Sequence, residues 1–143
     1  MSDVDFLDSN ILVYTDDHGA PDKQRVALGL VEAGHASRQT FVSTQVLEEY
    51  FVAATKKLGV PSDIARGKVE LFGQLNVIEV SLDDILAGID LHRLHQLSFW
   101  DGLLVQTARR AGCRRLLTED LQDGRRFDGL VVRNPFTKGR TRS

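Results

Sequence analysis

A chain of 143 residues, 42% hydrophobic and 27% charged, has the size and balance of one globular domain with a proper core. Its single cysteine, Cys113, excludes an internal disulfide and suits a reducing compartment. The net charge of −2 conceals a split: residues 1–100 hold 8 basic and 15 acidic side chains, residues 101–143 hold 10 and 5.

The acidic start, "MSDVDFLDSN", has neither the basic n-region nor the apolar h-region of a signal peptide. No apolar run approaches the ~20 residues that span a bilayer. The expectation is a cytoplasmic protein with no membrane partner. "VDFLDSNILVY" reads as a buried strand entering a loop or helix start at Asp8–Asn10. "DKQRVALGLVEAG" has helical spacing, with Gly34 as its expected C-cap. "TFVST" is a strand, and "QVLEEYFVAATKKLG" the helix after it. Pro61 and Ser62 open a further helix reaching about Leu75, and "NVIEV" follows as a strand. "SLDD" has the form of a capping box for a helix through His95, and "SFWD" starts another. "RRLLTED" and "GLVVRNPF" supply the last two strands. Alternating strands and helices predict an α/β domain with a mainly parallel sheet.

Four acids stand out on this map. Asp8 and Asp120 follow strands at their carboxyl ends, where ligands bind in open α/β sheets. Glu49, early in its helix, and Asp101, in the first turn of its own, project near the same edge. Each has a structural alternative. Asp8 could start a turn with Asn10, Asp120 could close a loop with Asp123 and Gly124, and Glu49 could be an exposed helix acid. Asp101 could complete a Ser-x-x-Asp cap with Ser98, amid the apolar run "LSFWDGLLV" in which Trp100 reads as core. Taken together, these alternatives give no reason for all four acids to share one edge. Carboxylates gathered in a pocket raise one another's pKa unless a cation joins them. An all-oxygen donor set suits Mg²⁺ or Mn²⁺ rather than zinc, and such ions activate water for phosphodiester hydrolysis. The basic C-terminal third could hold a polyanion, with Arg109, Arg110, Arg125 and Arg126 as candidate phosphate contacts.

The segments "FLDSNILVY", "STQVLEEYF", "SFWDGLLVQTARRAGCRRLLTEDLQDG" and "VVRNPF", in this order, resemble the PIN-domain nucleases, most closely the VapC-like toxins of bacterial toxin–antitoxin pairs. The resemblance covers roughly residues 5–136. It implies a PIN-like fold, with four to five mainly parallel strands flanked by helices on both faces, over residues 1–136, followed by a basic tail at 137–143. It also implies a metal-dependent endoribonuclease that uses Mg²⁺ or Mn²⁺ on an RNA substrate, forms a homodimer and is held inactive by a cognate antitoxin. The family's acids fall on Asp8, Glu49, Asp101 and Asp120, with Asp123 a further, outer contributor. Asn10 and Thr118 match supporting polar positions, and Ser98 takes the capping role. The pattern S-x-Q-V-L-x-E selects Glu49 over Glu48.

Rival readings fit less well. A haloacid-dehalogenase-like phosphohydrolase wants a second Asp where Asn10 stands. A receiver domain wants a late Lys near a strand end, yet the one Lys after Lys68 is Lys138, in the tail. A catalytically degenerate PIN domain acting as an RNA-binding or assembly module would not need all four acids. His92 and His95 have no third soft ligand nearby and read as structural.

Overall fold

A computed structural model describes residues 4–137. The elements run β1 (Asp5–Leu7), α1 (Ser9–Tyr14), α2 (Pro21–Ser37), β2 (Thr40–Ser43), α3 (Thr44–Lys57), α4 (Ser62–Phe72), β3 (Asn76–Ile78), α5 (Leu82–His95), α6 (Phe99–Arg110), β4 (Arg115–Leu117), β5 (Arg126–Phe127) and β6 (Leu130–Arg133). The sheet order is β3-β2-β1-β4-β6-β5, parallel except for the β5–β6 pairing. The expected α/β class and mainly parallel sheet are therefore present, and the strand beyond the expected four to five is β5, a two-residue hairpin arm. The basic tail lies outside the described residues, apart from Thr137.

Consecutive residues of a strand face opposite sides of a sheet. Phe6 and Leu7 in β1 are both buried, as are Leu116 and Leu117 in β4, so both faces of the central strands are covered. The helices that cover them contact one another as α1 with α2 and α3, α3 with α4, and α5 with α6. β1 sits between β2 and β4, and the chain's path reverses direction there. That switch point puts the carboxyl ends of β1 and β4 side by side.

Two glycines have roles that periodicity did not reveal. Helix α2 runs through Gly34 to Ser37, and Arg38, with φ 63°, is its left-handed cap. Gly34 is needed for contact instead, because a Cβ there would lie 2.8 Å from Thr40 Cβ. Gly102 lets α6 press on α5, since a Cβ would sit 2.5 Å from the Gly88 carbonyl oxygen. The "SLDD" capping box forms as expected, with Ser81 and Asp84 exchanging bonds at the start of α5. Arg110 then closes on buried Asp84 through Nε and Nη2 at 2.8 and 2.6 Å, holding that carboxyl far below the usual range.

Candidate functional site

The first acid is placed by a strand end. Asp8 leaves β1, is 5% exposed, and caps α1 by accepting from the Ser9 N–H at 2.6 Å. Thr118, leaving β4 next door, donates its hydroxyl to Asp8 Oδ2 at 2.7 Å. The same hydroxyl accepts from the Asp120 N–H at 3.0 Å, which turns the chain after β4. The Asn10 amide completes the array, donating to Thr118 Oγ1 and Asp120 Oδ2, each at 3.0 Å, and to Asp8 Oδ2 at 3.3 Å. Asn10 and Thr118 thus each bond to both Asp8 and Asp120.

Electrostatics links the four acids. Burial pushes the Asp8 carboxyl up to about 7; Thr118 and Ser9 work against this, and the charges of Asp120 and Glu49 add to it. Asp101, half-buried, is raised by burial and by Asp120 while its bond with Ser98 lowers it. Ser98 is the N-cap of α6, its hydroxyl accepting from the Asp101 N–H at 3.0 Å. Glu49 is held by Gln45, whose Nε2 donates to Glu49 Oε2 at 3.1 Å and to the Trp100 carbonyl at 3.2 Å. One amide thereby ties α3 to the start of α6. Gln45 was not singled out from the sequence; its position one helical turn before Glu49 was the available signal.

Other expected positions have bonds of their own within the chain. Asp123 accepts from the Asn134 N–H at 2.9 Å, which closes the loop before β5. Glu48 is exposed, and Glu119 bonds Tyr14 and Lys23. Three of the four candidate arginines have protein partners: Arg109 binds Asp128, Arg110 binds Asp84, and Arg125 binds the His95 carbonyl. His92 meets the Leu97 carbonyl and His95 lies edge-on to Phe127, both structural contacts. Cys113 is buried, its thiol pushed up to about 12 by desolvation and then by Asp5. Trp100 departs from expectation. It is 59% exposed: it shares a helix face with Leu103 and Leu104 but lies in the first turn of α6, before the covered stretch begins at Gly102.

Among the described residues, no three acid, histidine or cysteine side chains close into a metal-binding group. Asn10 instead bridges Asp8 and Asp120, and its Oδ1 is a buried acceptor with no donor. The donor chemistry nevertheless fits a hard divalent cation: carboxylate oxygens only, one of them made reluctant to ionise by burial and its neighbours.

The model of the PIN domain matches residues 6–128. The chain belongs to the PIN domain family. No curated protein sequence matches this PIN domain, but solved structures do. It is similar to a chain of a toxin–antitoxin complex from Klebsiella pneumoniae, with a TM-score of 0.65 at 22% identity, covering 91% of this chain and 96% of that one. A VapBC2 complex from Rickettsia felis bound to a DNA fragment from its promoter gives 0.62 at 23%, covering 91% and 97%. VapC20 of Mycobacterium tuberculosis, a sarcin–ricin loop cleaving toxin, gives 0.60 at 18%, covering 78% and 86%. At these identities the likeness establishes the fold, a PIN fold.

Proposed function

We propose that this PIN domain is a metal-dependent endoribonuclease acting as the toxin of a toxin–antitoxin pair. The observation that carries the reading is the bonded array at the switch point of a parallel sheet, where the Thr118 hydroxyl and the Asn10 amide each bond to Asp8 and Asp120, with the charges of Glu49 and Asp101 acting on it. PIN-domain nucleases generally use a divalent metal, and the similar solved structures include a sarcin–ricin loop cleaving toxin and two toxin–antitoxin assemblies.

In this reading Asp8, Asp101 and Asp120 hold one Mg²⁺ or Mn²⁺ and Glu49 completes the site. When bound, the metal supplies an activated water and neutralises charge on the phosphate. The chain's own residues do the rest. Thr118 and Asn10 fix the orientations of Asp8 and Asp120, Gln45 fixes Glu49, and Ser98 sets the start of α6 at Asp101. Buried Asp8 can hold a proton near neutral pH until a cation replaces it.

The partners belong to the same reading: RNA as substrate, a cognate antitoxin as inhibitor, and a second copy as dimer partner. No helix among the described residues is long and apolar enough to cross a membrane, and we infer a cytoplasmic protein. The test is purified protein incubated with mixed tRNA and rRNA fragments, with and without Mg²⁺ or Mn²⁺. Wild type should cut, and Asp8→Asn should lose at least about 100-fold in rate. Equal cutting in EDTA would overturn the reading.

A further inference from the structure

Trp100 and the lysines at the end of α3 have no part in the acid array, yet they face one cavity. Its volume is about 500 Å³, within the usual range of small-molecule sites. Trp100, Val52 and Ala53 give it apolar walls, and Lys56 and Lys57 also line it. Val52 and Trp100 are both more than half exposed, and among the described residues the indole's one ring partner is Phe99, edge-on at 4.9 Å. Neither lysine has an ion-pair partner among the described residues.

The cavity also adjoins the acids. Glu49 and Gln45 line it, and Gln45, itself buried, keeps Oε1 as an acceptor without a donor. Ala53 and Lys57 line a second cavity of about 300 Å³ whose other walls include Asn10 and Asp120. Two hollows therefore flank the carboxylates and share Lys57 between them.

We propose that the Trp100 cavity is a nucleotide subsite. It seats the base of an unpaired nucleotide next to the scissile phosphate, with Trp100 as stacking platform and Lys57 as phosphate contact. An exposed indole is what base stacking requires, and stacking tolerates any base. Lys57, which lines both hollows, supplies the matching backbone contact. Glu48 also lines the cavity and repels a second phosphate, which favours a base over backbone there. The proposal rests on the nuclease reading and extends it to how the strand is held.

Trp100 is the sole tryptophan, so its emission reports on this cavity alone. Asp8→Asn protein in Mg²⁺ is titrated with a fluorescein-labelled, unstructured oligoribonucleotide, following label anisotropy and tryptophan emission together. Emission should quench saturably in step with anisotropy. Adding Trp100→Ala should weaken binding about 10-fold, Trp100→Phe should recover most of it, and Lys57→Ala should make the salt dependence shallower. In the active background, Trp100→Phe and Trp100→Ala should raise KM in the same order, with kcat little changed. RNA that fails to bind, or binds with tryptophan emission unchanged, would overturn the subsite. So would light scattering showing that Trp100→Ala breaks a self-associated form, which would make the cavity a protein interface. Quenching by RNA in a wild type that cuts nothing would leave the subsite standing and remove the nuclease reading.

Discussion

The Asn10 amide donates to Asp120 Oδ2 at 3.0 Å and to Asp8 Oδ2 at 3.3 Å, so one neutral side chain separates two carboxylates that lie far apart in the chain. Asn10→Asp would exchange the shared donor for a third acid. In EDTA at pH 8 this should cost about 1–3 kcal/mol, through lost bonds and like-charge repulsion. Urea denaturation should show part of that loss recovered at pH 5, where the acids take up protons. An equal loss at both pH values would mean that Asn10 does not act by separating charge.

Folding without metal raises the Asp8 carboxyl from 3.8 to about 7. Between these values the folded protein keeps a proton that the unfolded chain has released. Stability therefore falls as pH rises from about 4 to about 7, by a few kcal/mol in order of magnitude, and levels off above. Urea midpoints measured in EDTA across this window should decline more steeply in wild type than in Asp8→Asn. Mg²⁺ at pH 8 should restore stability to wild type and not to the variant. Thr118→Val, which removes a bond that lowers the Asp8 pKa, should move its NMR titration upward.

At the crossing of α5 and α6, Gly102 has no room for a methyl group against the Gly88 carbonyl. Gly102→Ala should destabilise by roughly 1–3 kcal/mol through overpacking. The shift falls beside Asp101, so RNA cleavage should drop by more than the unfolded fraction explains, as circular dichroism and rate compared at one temperature would show.

Tyr50 and Lys68 both bind Asp16, at 2.5 and 2.7 Å, and so join α3 and α4 to the end of α1. Tyr50→Phe should cost about 1 kcal/mol, because Lys68 still pairs the carboxylate. Lys68→Met should cost more, because it leaves a largely buried charge with one neutral donor. The reverse ranking of denaturation free energies would contradict this account.

Much of the architecture could be read from local pattern. The runs around Phe6–Leu7 and Leu116–Leu117 are apolar at successive positions, which marks strands covered on both faces. Asp8 and Asp120 could be placed because a residue just past a strand end must lie at the sheet edge. Trp100 and Gly34 were read otherwise than they are found. Which stretch of a helix is covered, and which turn meets a neighbouring backbone, depend on packing partners distant in sequence.

The sequence by itself determined the alternation of strands and helices, the edge to which four acids are delivered, and the Ser81 and Ser98 caps, because these follow from periodicity and hydrogen bonding within a few residues. Tertiary structure alone decided that the Asn10 amide would stand between Asp8 and Asp120, that Gln45 would tie Glu49 to α6, and that Trp100 would open onto a cavity. Each of these depends on the distance between segments that only chain packing brings together.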